Sequence, residues 1–182
     1  MKTFWIDVDN EPQAQYLSSV AARLRRRGHQ VLVTAKDHPQ TIEVLANRGE
    51  AAVPIGGPFG ASRAAKTAGT LLRAARLAPA VQRRLCLPDA VLASSRSANI
   101  AGRLLGSRCY TIIDYEGVET SVFRACRTTV LHPSAISSRE FTKLGFAEQR
   151  LIPFPGLKED ISFSGLDLEE VVPAELPFPR NG

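Results

Sequence analysis

The sequence has few of the features that mark disulfide-bonded, zinc-binding or membrane-spanning proteins. Its three cysteines, Cys86, Cys109 and Cys126, are far apart and form no CxxC pair, so neither a disulfide framework nor a zinc knuckle is indicated. No run approaches the roughly 18 apolar residues of a membrane span. The N-terminus also lacks the basic-then-apolar pattern of a secretory signal. We therefore expect a cytoplasmic protein with reduced thiols.

Positive charge is concentrated in residues 1–100, which hold 14 Lys and Arg against 7 Asp and Glu. The excess lies in RLRRRG (23–28) and along 63–84. These residues could form a basic face for phosphates, nucleic acid or anionic lipid headgroups, and so for peripheral membrane association. They could equally be the solvated outer faces of helices. Aromatic residues do not interleave with the arginines, which argues against a single-stranded nucleic acid partner.

Strand and helix patterns alternate along most of the chain. The strand patterns cover 3–8, 30–35, 51–56, 89–94, 108–114, 128–132 and 150–154, and the helical patterns cover 12–28, 39–49, 62–86, 96–106, 117–126 and 134–145. This order predicts an α/β fold with a doubly wound parallel sheet of about seven strands. Pro79 is expected to break its helix. A domain of residues 1–160 is expected, followed by a linker or terminal arm at 161–182.

Ligands of such sheets bind outside the carboxyl ends of the strands, and the first strand ends in DVDN (7–10). Strand alternation places Asp7 and Asp9 on one face. They resemble the opening of a haloacid-dehalogenase-type phosphatase, which needs Mg²⁺, but the continuation Asn10-Glu11-Pro12 does not fit that family. Alternatively, Asp9 or Asn10 caps the following helix. We expect Asp7 to support the loop and Asp9 and Asn10 to face a ligand cleft.

Two further strand ends carry polar or glycine-rich clusters. At the first, Ser94, Ser95, Arg96 and Ser97 open a helix. Their hydroxyls and cation could bind an anion at the helix N-terminus, or a serine could simply cap the helix. At the second, the loop GGPFGAS (56–62) could cradle a phosphate or form a lid. It matches neither GxGxxG nor a P-loop, so no nucleotide cofactor is predicted.

The stretch IIDYE (112–116) runs from apolar residues directly into Asp114 and Glu116. A partly desolvated carboxylate there could take a proton from a hydroxyl, so both are candidate catalytic bases. Capping of the next helix is the alternative. No His, Cys and Asp cluster has the spacing of a zinc site, so no metal is predicted.

Several stretches together resemble one known family: FWIDVDNEPQAQYL, RGHQVLVTAKDHPQTIEVL, PDAVLASSRSANIAGRLLG, IIDYE and FPGLKEDISF. Over about residues 1–163 the chain is similar to the family named domain of unknown function 354. That family looks like a divergent branch of the GT-B architecture, similar to UDP-N-acetylglucosamine 2-epimerases and to glycosyltransferases of envelope and polysaccharide synthesis. Its members are close to twice this length and carry a second Rossmann-like domain after the PGLKED segment. In this chain NEPQ replaces the more usual NPPH-like run.

The resemblance implies the Rossmann-like N-terminal, acceptor-side half of a glycosyltransferase or sugar-nucleotide epimerase, lacking its second domain and inactive alone. It implies a sugar acceptor or nucleotide-sugar ligand, a second-domain partner and no obligatory metal. The cleft wall would comprise Asp9, Asn10, Arg96, Asp114 and Glu116. The alternative is a stand-alone Rossmann-like module that binds an anionic or nucleotide ligand or a partner chain.

Overall fold

The computed structural model describes residues 1–57, 60, 62–115 and 117–163. Its strands are β1 (Thr3–Val8), β2 (Gln30–Ala35), β3 (Val53–Pro54), β4 (Ala90–Ala93), β5 (Arg108–Ile112), β6 (Thr129–Pro133) and β7 (Leu151–Phe154). They form one sheet in the order β3-β2-β1-β4-β5-β6-β7, and every neighbouring pair is parallel. The predicted seven-stranded, doubly wound α/β sheet is therefore confirmed.

Helices connect the strands. They are α1 (Glu11–Arg26), α2 (Pro39–Asn47), α3 (Arg63–Leu85), α4 (Arg96–Leu104), α5 (Ser121–Ala125), α6 (Ser138–Lys143) and α7 (Lys158–Phe163), with a 3₁₀ turn at Glu148–Arg150. Across the part of the chain that the structure describes, none of the helices combines the length and apolar character needed to cross a bilayer.

The elements depart from their sequence patterns in two instructive places. The predicted third strand shortens to Val53–Pro54 at the edge of the sheet. Proline cannot donate to the ladder, although the next amide, of Ile55, donates to the Ala35 carbonyl at 2.8 Å. The expected break at Pro79 is wrong, since α3 continues through it to Leu85. Leu77 and Val81 on either side of Pro79 are fully buried, so packing holds the helix together despite the missing hydrogen bond.

The two faces of the sheet bury different sets of side chains. Ile6 and Val8 of β1 pack with Leu17 of α1, whereas Trp5 packs with Leu77 of α3 and residues of α4. Since side chains alternate along a strand, Asp7 points to the same face as Trp5. The residues that follow β1 are therefore placed between two layers of helices.

The end of the described chain packs back on the domain. Helix α7 lies against α1, and Arg48 donates to the Ser162 carbonyl at 2.8 Å. The predicted linker or arm, 161–182, thus begins inside α7, and its residues from 164 onward lie outside the described part of the chain.

Candidate functional site

A buried ion pair joins the end of β1 to the middle of α3. The Asp7 carboxylate is 0% exposed and accepts hydrogen bonds from both terminal nitrogens of Arg73, at 2.8 and 2.9 Å. The hydroxyls of Thr34 and Ser95 each donate to it at 2.6 Å. Both carboxylate oxygens are thus occupied, and Asp7 is not free to act as the nucleophile that a phosphatase would require.

Arg73 is a residue that sequence reasoning does not single out. It belongs to the basic run 63–84, yet it is 1% exposed rather than solvated. Its Nε donates to the Ile55 carbonyl at 2.9 Å. Burial lowers the pKa of Arg73, but the charge and hydrogen bonds of Asp7 outweigh burial and raise the pKa above its ordinary value. The available signal was helical spacing, because Arg73 shares a buried stripe with Gly69 and Leu77.

An open cavity of about 330 Å³ lies beside this ion pair, at the carboxyl edge of the sheet. It is lined by Asp9, Lys36, Lys66, Gly69, Thr70, Arg73, Ser95, Arg96 and Ser97, and we call it the basic cavity. Asp9 Oδ1 is 3.9 Å from Arg73 Nη1 and 3.8 Å from Lys36 Nζ. Asp7 and Asp9 therefore approach the same guanidinium, Asp7 from within β1 and Asp9 from just beyond its end.

The start of α4 forms one wall of the basic cavity. Ser95 is the N-cap, because its Oγ accepts from the Ala98 amide at 3.1 Å. The same hydroxyl donates to Asp7. Arg96 follows with its side chain about half exposed, and its Nη1 lies 3.5 Å from Glu119 Oε2. A single serine thus combines the predicted capping role with a place in the cavity wall.

A second cavity, of about 340 Å³, opens where α1 and α7 meet the ends of β4 and β5. Its lining is Asn10, Pro12, Gln13, Tyr16, Ser94, Thr111, Ile112, Ile113, Asp114, Tyr115, Val118, Phe123 and Lys158, and we call it the Tyr16 cavity. The lining combines polar groups with apolar side chains. That mixture is typical of pockets that orient a small polar molecule.

An ion pair lies on one side of the Tyr16 cavity. The Lys158 ammonium donates to Asp114 Oδ2. Burial lowers the pKa of Lys158, but the hydrogen bond and charge of Asp114 outweigh burial and raise the pKa above its ordinary value. Lys158 therefore remains an ammonium at neutral pH and holds the Asp114 carboxylate in place.

Hydroxyl groups lie on the other side. The Tyr16 phenol and the Ser94 hydroxyl are 3.3 Å apart. Burial raises the pKa of Tyr16, against the opposing effect of the Ser94 contact, so the phenol stays protonated at neutral pH. Thr111 is fully buried, and its Oγ1 makes no hydrogen bond with any described residue. Thr111 follows Cys109 on the face of β5 that packs against α4, so its hydroxyl points to the opposite face of the sheet from Tyr16.

The predicted site residues divide between the two cavities. Asp9, Ser95, Arg96 and Ser97 line the basic cavity, and Asn10, Ser94 and Asp114 line the Tyr16 cavity. Asn10 also caps α1, since its Oδ1 accepts from the Gln13 amide at 3.1 Å. Glu116 lies outside the described residues. Sequence reasoning gave no role to Tyr16, Lys36 or Thr70, and it placed Lys66 only within the basic run 63–84.

Carboxylates and histidines do not gather at either cavity in the way that a metal centre requires. Within residues 1–57, 60, 62–115 and 117–163, no group of three His, Cys, Asp or Glu side chains could hold a metal ion. Asp9 and Asp114 instead lie beside cationic side chains.

Comparison with known proteins identifies the fold. No family model and no curated protein matches the sequence. The S. aureus MnaA–UDP structure superposes with a TM-score of 0.68 at 13% identity, covering 94% of this chain and 50% of that chain. UDP-GlcNAc 2-epimerase from Methanocaldococcus jannaschii gives 0.63 at 10%, covering 83% and 45%. Acinetobacter baumannii MurG gives 0.55 at 14%, covering 72% and 40%.

The chain spans about half the length of these structures. This proportion is consistent with the N-terminal half of a GT-B protein, as the resemblance in sequence predicts. At these levels of identity the likeness concerns the fold alone. The chain has the Rossmann-like fold of one half of the GT-B architecture.

Proposed function

We propose that this chain is the N-terminal, acceptor-side half of a GT-B-like glycosyltransferase or sugar-nucleotide epimerase. The family named domain of unknown function 354, with a role in polysaccharide or envelope synthesis, is the proposed affiliation. The observation that carries the proposal is the match of this single sheet to half of such chains. Both cavities lie at the carboxyl ends of β1 and β4, where the strand order reverses and α/β sheets bind ligands.

The Tyr16 cavity is the proposed site for the sugar hydroxyl. Tyr16 and Ser94 offer hydroxyls there that both donate and accept hydrogen bonds. The side chains of Ile112 and Phe123 supply the apolar wall on which a sugar ring can pack. This combination favours a neutral polyol over an ion at this position.

Asp114 is the proposed general base. Its carboxylate would take the proton of the acceptor hydroxyl as that oxygen attacks the anomeric carbon of the donor sugar, whose bond to the nucleotide breaks. Lys158 acts as a positioning residue, because its ammonium fixes one oxygen of Asp114. Glu116 is proposed to act beside Asp114 on the ground of sequence alone.

The proposed donor is a nucleotide sugar. Structures of similar fold carry UDP in S. aureus MnaA and UDP-GlcNAc in the Neisseria meningitidis 2-epimerase. The nucleotide is proposed to lie mainly on a second domain that faces the carboxyl edge of this sheet. The 182-residue chain by itself should therefore bind UDP weakly and show no turnover.

The test combines calorimetry, an activity assay and NMR on the 182-residue chain. UDP should bind no more tightly than pyrophosphate, and neither transfer nor epimerisation should be detected with UDP-GlcNAc. N-acetylglucosamine should shift the amide resonances of residues 111–115. Tyr16→Phe should weaken those shifts, whereas Tyr110→Phe, whose side chain lines a separate cavity with Phe4 and Ala90, should not. Turnover by the chain alone would contradict the half-enzyme assignment. Unshifted resonances at 111–115 would contradict the acceptor site.

A cytoplasmic location with peripheral attachment to anionic membranes is proposed for the same protein. Arg23, Arg26 and Arg27 at the end of α1 are exposed, which supports this attachment. Arg25 is instead engaged by Glu50 at 2.8 Å. Sedimentation with phosphatidylglycerol vesicles should fall on replacing Arg26 and Arg27 by glutamine. Unchanged sedimentation would refute the attachment.

A further inference from the structure

We propose that the basic cavity binds a phosphate or pyrophosphate group of the same substrate whose hydroxyl enters the Tyr16 cavity. Only the link to the Tyr16 cavity rests on the proposed function. The two cavities lie on opposite faces of the sheet at the same carboxyl edge, where consecutive residues line them: Asp9 and Asn10 after β1, and Ser94 and Ser95 after β4. One substrate could therefore reach both.

The charge of the basic cavity favours an anion. Lys36, Lys66, Arg73 and Arg96 line it, and Asp9 is the carboxylate among its lining residues. Arg73 is neutralised by Asp7 beneath the cavity. After both carboxylates are counted against the four cations, an excess of two positive charges remains at the cavity.

Asp9 does not cancel this excess. Its Oδ1 lies between two cations, 3.8 Å from Lys36 Nζ and 3.9 Å from Arg73 Nη1. Lys66 forms no ion pair with any described residue. Arg96 contacts Glu119 at 3.5 Å on the outer side, with both side chains about half exposed. Such a contact is weak enough for Arg96 to exchange it for an incoming phosphate.

Backbone and hydroxyl donors are also directed into the basic cavity. Helix α4 has nine residues, and the Ser95 hydroxyl caps its third amide, that of Ala98. The first two amides, those of Arg96 and Ser97, donate to no described residue. Ser97 is only 6% exposed, lines the cavity, and its hydroxyl hydrogen-bonds to no described residue. Free amides at a helix N-terminus with a buried hydroxyl and nearby cations are the groups that hold phosphate oxygens.

The first test is titration of the 182-residue chain with pyrophosphate, followed by NMR. The amides of residues 96 and 97 should shift in a saturable manner, and added salt should weaken the binding. Lys66→Ala and Arg96→Ala should each reduce the affinity about threefold to tenfold, and Ser97→Ala should reduce it by a similar factor. Arg76→Ala is the matched control, because Arg76 is exposed on the same helix as Lys66 but lies outside the cavity. That control should change the affinity by less than about twofold.

A second arm distinguishes the source of the phosphate. Phosphatidylcholine vesicles containing phosphatidic acid present it on a lipid, whereas pyrophosphate presents it in solution. Vesicle binding that is lost in Arg96→Ala but kept in Arg76→Ala assigns a lipid-borne phosphate. Binding of pyrophosphate without binding of the vesicles assigns a phosphate group on a soluble molecule.

The proposal is overturned if neither probe binds, or if all four variants reduce binding equally, as a diffuse charge effect would. Thermal melts of each variant verify that the fold persists. If pyrophosphate binds but N-acetylglucosamine does not shift the resonances of residues 111–115, the basic cavity is upheld as a phosphate site. The proposed acceptor site in the Tyr16 cavity then fails.

Discussion

Replacing Arg73 by methionine tests whether the buried ion pair holds the carboxyl edge of the sheet together. The substitution keeps most of the side-chain length but removes both nitrogens that donate to Asp7. Asp7 would retain only the hydroxyls of Thr34 and Ser95. Its charge would then remain buried at 0% exposure without a counter-ion.

Breaking a buried ion pair in this way lowers the free energy of unfolding by about 3–5 kcal/mol. Arg76→Met on the same helix provides the control, because Arg76 is exposed and the change should cost less than about 0.5 kcal/mol. The double variant Asp7→Leu, Arg73→Met should recover much of the loss, since neither charge remains. In it, the Thr34 hydroxyl still accepts from Trp5 Nε1 and that of Ser95 from the Ala98 amide.

Urea unfolding of the wild type, Arg73→Met, Asp7→Leu, the double variant and the control Arg76→Met measures these differences. A constant slope against urea verifies that the compared states are the same. The expected pattern is a large loss for Arg73→Met and a double variant that is more stable than the sum of its single changes predicts. A loss below about 1 kcal/mol for Arg73→Met, or strict additivity of the single variants, would refute the reasoning.

Two further predictions follow from the packing. Gly56→Ala should lower the free energy of unfolding by about 1 kcal/mol or more beyond the loss caused by Gly49→Ala. Both glycines have positive φ, at +75° and +71°, but only the methyl group added at Gly56 would lie 3.1 Å from Arg73 Cγ. Equal losses in urea unfolding would contradict this. In the folded protein a thiol reagent should modify Cys86 alone, because Cys86 is exposed whereas the other two cysteines are buried and burial raises the pKa of Cys109 to about 12. Rapid modification of a second thiol before unfolding would count against that description.

The alternation of apolar segments was sufficient to predict the parallel sheet, because parallel strands and right-handed crossovers leave few arrangements. It was not sufficient to identify Arg73. A basic residue in a run of basic residues is usually solvated, and only its pairing with a buried carboxylate in a strand 66 positions away reverses that expectation. Lys158 and Asp114 illustrate the same difficulty, being 44 positions apart.

The alternation of side chains along a strand explains why the predicted site divides into two cavities. Ser94 and Ser95 follow β4 directly, and neighbouring side chains along extended backbone point to opposite faces. Ser94 therefore meets Tyr16 of α1, while Ser95 meets Asp7 and Arg73 on the side of α3. A contiguous motif at the end of a parallel strand thus serves both faces of the sheet. The partner of each serine, and hence the chemistry of each cavity, depends on which helix covers which face.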